Sequence, residues 1–272
     1  MKDTMATLNR SHENQRPLAL VTGASSGIGQ AFARRLCRDG YDLIAVGRRR
    51  ERLDQLVSEF PNANIRPLVT DLGTDAGIEE VAAICEQEQL ALLINNAGVA
   101  HYMPFMELPL NKASELLHVK IVATTLLARA VAVGMVARGA GTIINVAGML
   151  AFSGPASSEK LPLKRAVYTA TLAHIVALSQ VLYEELKSCG VRVQALCPGV
   201  VATEFHERQG LDLSKVPRMS ADDVVTASLR GLTLGEVVCA PGVEKQELLE
   251  NVFQAELAAF GGQSSQLAQR YR

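Results

Sequence analysis

The stretch from Leu18 to Gly29, LALVTGASSGIG, leaves this chain little freedom in how it folds. Its apolar start rises to Thr22 and reads as a short buried strand. Gly23, Gly27 and Gly29 follow in a Gly-x-x-x-Gly-x-Gly spacing. Behind them, Gln30 to Cys37 has helical periodicity, with Phe32, Leu36 and Cys37 on the buried side. A strand, a glycine turn and a helix start make a seat for a pyrophosphate. The turn needs positive φ, or close backbone approach, where a Cβ would clash. The helix start offers unpaired N–H groups and a partial positive charge to the anion. The spacing differs from the Gly-x-Gly-x-x-Gly fingerprint of dinucleotide folds.

The length of 272 residues suits one large α/β domain with a single core. Twenty-seven basic and 28 acidic residues, a formal charge of −1, leave no electrostatic footprint for nucleic acid. The five cysteines, Cys37, Cys85, Cys189, Cys197 and Cys239, are scattered without disulfide or zinc spacing and read as reduced thiols. No cluster has metal-ligand spacing. Residues 1–16 are polar and read as a disordered extension rather than a signal peptide, residues 17–262 as the domain, and 263–272 as a tail. The longest apolar run, Ile121 to Ala137, is interrupted by Arg129 and is short for a bilayer span. A soluble, cytoplasmic protein without membrane contact is the expectation.

Further strands are expected over Tyr41–Val46, Ile65–Thr70, Leu90–Ile94, Gly141–Val146, Val191–Leu196 and Glu236–Ala240. Long helices are expected over Asn111–Arg138, bent near Gly134, and Ala166–Ser188. Alternating strands and helices without an internal repeat imply a doubly wound parallel sheet. At the end of the second strand a dinucleotide fold meets the adenosine ribose. No carboxylate stands there; Arg48, followed by Arg49, supplies a positive fork suited to a 2′-phosphate, which favours NADP(H). Arg50 to Arg52 reads as an ordinary solvated helix start.

Four motifs in order, Thr-Gly-x-x-x-Gly-x-Gly, Asp71-Leu72, the Asn-Asn-Ala-Gly quartet at 95–98 and Pro198-Gly199 leading to Thr203, resemble the short-chain dehydrogenase/reductase family. The resemblance covers about Leu18 to Gly242 and lies nearest the bacterial ketone-reductase branch. It implies a single Rossmann-type domain. It also implies a cofactor site of Gly23, Ser25, Ser26, Gly27, Ile28, Gly29, Arg48, Asp71, Leu72, Asn96, Ala97, Gly98, Tyr168, Pro198, Gly199 and Thr203. Family members commonly form homodimers or homotetramers through their two long helices; here Ile121–Ala137 and Ile175–Leu186 offer apolar faces for this.

The same resemblance implies a tyrosine proton donor, a lysine one helical turn later, a serine after the fifth strand and an asparagine in the preceding helix. Tyr168 stands in place, but Leu172 occupies the lysine position, Gly148 the serine position and Lys120 the asparagine position. The interval from Gly148 to Tyr168 is also longer than the family's, through a polar loop at 153–164. Two readings stay open. In one, the site is rebuilt as an NADP(H)-dependent carbonyl/alcohol oxidoreductase around Tyr168, with Lys120 as the relocated cation and Ser153, Ser157 or Ser158 as the missing hydroxyl. In the other, a redox-inactive relative keeps the NADP(H) cleft for redox-neutral catalysis or as a binding scaffold. Residue by residue, Lys120 also reads as a snorkelling surface lysine, and the serines as loop solubility. Phe205 to Pro217 reads as a mobile substrate lid. His101 and Tyr102 are expected at the cleft mouth, His174 away from the Tyr168 face, and His118 and His206 on the surface. An aromatic content of 4% argues against a stacking-rich pocket.

Overall fold

The computed structural model describes residues 16–157 and 159–272. Its strands are β1 Leu18–Thr22, β2 Asp42–Gly47, β3 Ile65–Val69, β4 Leu90–Asn95, β5 Gly141–Val146, β6 Val191–Leu196 and β7 Val238–Cys239. They pair in parallel throughout, in the order β3-β2-β1-β4-β5-β6-β7. The chain begins in the middle, winds outward to β3, then returns to lay β4 against β1 and winds the other way. This is the doubly wound sheet expected from the sequence. Its reversal between β1 and β4 opens a crevice at the carboxyl ends of the strands.

Both faces of the sheet are covered, which is why the central strands are almost wholly apolar. Helices α1 Gly27–Arg38, α2 Arg50–Glu59 and, late in the chain, Ala221–Leu234 pack on one face through Phe32, Leu36, Leu53, Leu56 and Val224. On the other face lie α3 Asp75–Gln87 and the two long helical stretches. The first is α4 Leu110–Leu117 and α5 Ala123–Arg138; the second is α6 Ala166–Leu186. Ala221–Leu234 is α7, and α8 Glu247–Gly261 follows with no buried residue of its own.

Three sequence expectations change. The bend in the first long stretch falls at a π turn, His118–Val122, rather than near Gly134, which sits inside regular helix. The widened turn absorbs one residue and lets Val119 and Lys120 both face inward. Counting only the run Ile121–Ala137 also understates helix length. Leu110–Arg138 and Ala166–Cys189 are each long and apolar enough to cross a membrane by length and composition, although both pack on this sheet.

The third change concerns the start of the domain. Residues 1–15 lie outside the described residues, but Arg16 is anchored. Its guanidinium donates to the carbonyls of Cys37 (3.1 Å), Gly40 (3.0 Å), Tyr41 (3.1 Å) and Asn62 (2.8 Å). It also pairs with Asp42 at 3.3 Å. One side chain thereby ties the end of α1 to the start of β2 and the loop before β3. Arg16→Ala is therefore expected to lower unfolding free energy by about 1–3 kcal/mol, seen as a lower urea midpoint at unchanged slope; an unchanged midpoint would refute the anchor.

Candidate functional site

The site is built where β1 and β4 part. The Thr22 hydroxyl donates to the carbonyl of Ile94 (3.2 Å) and accepts from the backbone N–H of Asn96 (2.9 Å) and Ala97 (3.0 Å). The Asn96 carboxamide returns to the carbonyl of Thr22 at 3.0 Å. Against this clamp the turn has no spare volume. Gly23 has φ +68°, and a Cβ on it would lie 2.7 Å from Asn96 Nδ2. A Cβ on Gly29 would overlap both Gly23 O and Asn96 Nδ2. Gly29 thus packs beneath the turn and does not line the cleft, whereas every other expected cofactor residue does. Ser26 caps α1 without a side-chain bond, so first-turn N–H groups remain for an anion.

The cleft is a cavity of about 860 Å³ running from this turn to the far end of β5. At the β2 end the two arginines diverge. Arg48 pairs loosely with Asp71 at 3.6 Å, both about half exposed. Arg49 turns inward: its Nη2 donates to the carbonyl of Ser25 (3.2 Å) and lies 2.6 Å from Glu204. Arg49 was expected beside Arg48 at this strand end; Glu204 was not among the expected site residues, and nothing local in the sequence signals it. Arg50 pairs with Asp54 one turn on, as for a solvated helix start. Asp71 also accepts from the N–H of Gly73, while Thr74 supplies the cap of α3.

Lys120 is no surface residue. It is 4% exposed, lies against Gly98, and its Nζ donates to the carbonyl of Val146 at the end of β5 (3.3 Å). Among the described residues no acidic side chain pairs with it, and burial lowers its pKa to about 8. Gly98 permits the approach: a Cβ there would fall 2.6 Å from Lys120 Cε. Tyr168, near the start of α6, lines the same cavity. Burial first, then the neighbouring Tyr102, push its phenol well above the ordinary value. Burial likewise raises Tyr102 to about 12. Lys120 makes no hydrogen bond to Tyr168 and is not among the groups that shift it. Leu172 is buried and apolar, and its Cδ1 lies 3.4 Å from where a Cβ on Gly148 would stand.

Ser153 lines the cavity, but its hydroxyl is committed to structure. It donates to the carbonyl of Leu150 (2.8 Å) and accepts from Arg165 Nε (2.9 Å). Arg165 also holds the carbonyls of Ser153 (2.7 Å) and Leu163 (2.8 Å), stapling the two ends of the inserted loop. Ser157 is exposed in a turn, and Ser158 lies outside the described residues. The loop instead offers the cavity Leu161, Pro162 and Leu163. Opposite it, the 201–219 segment leaves and rejoins the fold at a backbone bridge between Val201 and Met219.

That segment overturns the expectation of a pocket poor in aromatic groups. Tyr102 stands edge-on to Tyr168 (5.4 Å, 82°) and stacks on His206 (6.3 Å, 15°), which meets Phe205 at 5.4 Å. His206 therefore lines the cleft rather than the surface, and burial lowers its pKa. His101 pairs with Glu115 at 2.9 Å, His118 with Asp75 at 3.3 Å, and His174 with the Thr125 hydroxyl at 3.1 Å.

The short chain dehydrogenase family matches residues 17–213. A short-chain dehydrogenase from Sphingobium yanoikuyae, solved in complex with NADPH, is similar at 32% identity and a TM-score of 0.88, over 94% of this chain and all of that one. A bulky-bulky ketone specific alcohol dehydrogenase from Comamonas testosteroni is similar at 30% identity and 0.84, over 94% of this chain and 98% of that one. The very-long-chain 3-oxoacyl-CoA reductase of Mus musculus is 29% identical over 230 residues, 81% of this chain and 71% of that protein.

The buried amine of Lys120 has a stability consequence. Its folded pKa of about 8 lies below its unfolded value of ~10.4, so the unfolded chain binds more protons between them and stability rises with pH across that window. Lys120→Met is expected to be more stable than wild type at pH 7 by on the order of 2 kcal/mol, with the gap closing above pH ~10. Urea midpoints at both pH values measure it. A gap that does not change with pH would show that Lys120 is not held as a perturbed buried amine.

Proposed function

Because the chain belongs to the short-chain dehydrogenase family, we propose that it is an NADP(H)-dependent oxidoreductase that reduces a bulky apolar carbonyl, with Tyr168 as the proton donor. The observation that carries this reading is that Tyr168 shares one continuous cavity with the glycine turn and the Arg48–Arg49 pair. NADPH in the Sphingobium relative supports the cofactor, and the bulky ketone of the Comamonas relative supports the substrate class.

The residues present fit the nucleotide. The turn excludes Cβ atoms at Gly23 and Gly29, and the free N–H groups at the start of α1 suit a pyrophosphate. Ser25, Arg48 and Arg49 stand at the end of β2, where the ribose 2′ position falls in a doubly wound fold. When bound, NADPH supplies the hydride that adds to the carbonyl carbon. Tyr168 gives its O–H proton to the carbonyl oxygen, yielding the alcohol. Its raised pKa keeps the phenol protonated throughout the neutral range, which suits reduction and leaves no base for alcohol oxidation. Lys120 spends one N–H on Val146 and keeps two for the nicotinamide ribose, the part played elsewhere in the family by the lysine that Leu172 replaces.

Met149, Leu150, Leu161, Leu163, Phe205 and Leu213 line the substrate end, which suits an apolar substrate. Leu126, Val133 and Val136 on α5 and Val181 on α6 are exposed apolar groups of the kind that a second copy would cover, so a homo-oligomer is part of the proposal.

The test is NADPH consumption at the nicotinamide band with a panel of bulky aryl and alkyl ketones. Tyr168→Phe is expected to lose roughly 10²–10⁴ in kcat/KM while still binding NADPH; turnover equal to wild type would remove Tyr168 from the chemistry. Gly148→Ser is expected to fold normally, since its Cβ meets nothing nearer than 3.4 Å, and to raise kcat/KM by adding a hydroxyl at the end of β5. A folded Gly148→Ser protein with lower turnover would mean that the rebuilt site excludes that group.

A further inference from the structure

Glu204 lies in the first residues of the 201–219 segment, far in sequence from β2, yet its carboxylate sits among the arginines at the β2 end. Oε1 is 2.6 Å from Arg49 Nη2 and 3.6 Å from Arg208 Nη1, and Oε2 is 3.7 Å from Arg52 Nη2. The Arg49 guanidinium beside it is the main cause that holds this carboxyl below its ordinary pKa, against burial; Ser26 and Arg52 add to it. A carboxylate presents a guanidinium with the same planar pair of oxygens that a phosphate does. Three cations against one anion leave the cluster positive, so it still attracts an anion.

We propose that Glu204 is a specificity-determining residue: in the free protein it occupies the arginines that a nucleotide 2′-phosphate needs, and the same contact straps the 201–219 segment across the cleft. This rests on the NADP(H) reading above. A 2′-phosphate, with its larger charge, displaces the carboxylate from Arg49 and releases the strap; a nucleotide with a free 2′-hydroxyl leaves it closed. The segment is built to respond as a unit. Its ends are pinned by Ala202 N–H to the Met219 carbonyl (2.8 Å) and Met219 N–H to the Val200 carbonyl (3.0 Å). Between these pins it carries Phe205, His206, Leu211, Leu213 and Val216, which form one wall of the cavity. Cofactor choice and access for a carbonyl substrate are thereby coupled through one ion pair.

The experiment titrates NADPH and NADH, by nicotinamide fluorescence, into wild type, Glu204→Gln, Arg49→Gln and the double variant, and follows amide hydrogen exchange over 203–217. Removing the competing charge is expected to tighten NADPH about tenfold and to leave NADH within about twofold. The gain should vanish in the Arg49→Gln background. Exchange over 203–217 should be faster in free Glu204→Gln than in free wild type, and equal in the two NADPH complexes. NADPH affinity that is unchanged or weaker in Glu204→Gln, or an equal gain for NADH, overturns this inference alone. Failure of wild type and Glu204→Gln alike to bind NADPH overturns the proposed function and takes this inference with it.

Discussion

The site depends on how the sheet ends between β1 and β4. Paired register runs only to Val21 and Ile94, and beyond it the backbone N–H groups of Asn96 and Ala97 would be buried without partners. The Thr22 hydroxyl accepts from both and donates to Ile94, while the Asn96 carboxamide satisfies the carbonyl of Thr22. Leaving such groups unpaired costs about 1–3 kcal/mol each, so the crevice can open only because these two side chains close its accounts. Their closeness removes room for a Cβ at Gly23 and Gly29 and brings the 95–98 loop to where Gly98 admits Lys120. A second polar thread lies deeper: Asn95 donates to Asn145 (2.9 Å), and Asn145 to Ser179 (3.0 Å), tying β4 and β5 to α6.

Among the described residues, the buried cation of the cavity is Lys120. A buried lysine without an acidic partner is costly, and here it is held by a widened helical turn, a glycine and one carbonyl. Leu172 follows from this. A second ammonium in the same apolar pocket would be desolvated and repelled by the first, whereas a leucine fills the space over Gly148. The buried ammonium of Lys120 and the apolar Leu172 are thus physically compatible in one cavity. No cation among the described residues lowers the pKa of Tyr168, which is buried with its ring edge-on to Tyr102.

Strands, glycine turn and the motif loops at 95–98 and 198–203 were legible because each rests on local chemistry: continuous apolar runs, residues without Cβ, and side chains that pair with backbone. The place of Tyr168 at the site came from the family resemblance, and the structure puts it in the cavity. What could not be read depended on distant partners. Nothing near Ser153 says that Arg165 takes its hydroxyl, and nothing near Arg49 says that Glu204 will draw it inward while Arg48 turns to Asp71. The π turn at Lys120 carries no glycine or proline to mark it. A low aromatic content likewise says nothing of where the rings go, and the fold gathers Tyr102, Tyr168, Phe205 and His206 from three separate elements.

These long-range contacts share a direction. The stapled 153–165 loop and the strapped 201–219 segment approach the same end of the cavity from opposite sides, each contributing apolar side chains and each fixed by an arginine at its rim. Tyr168 is buried beneath them, and burial is what raises its phenol. Apolar enclosure thereby keeps the proton on Tyr168 across the neutral range. Leu161 and Leu163 from one segment and Phe205 and Leu213 from the other face this end of the cavity together.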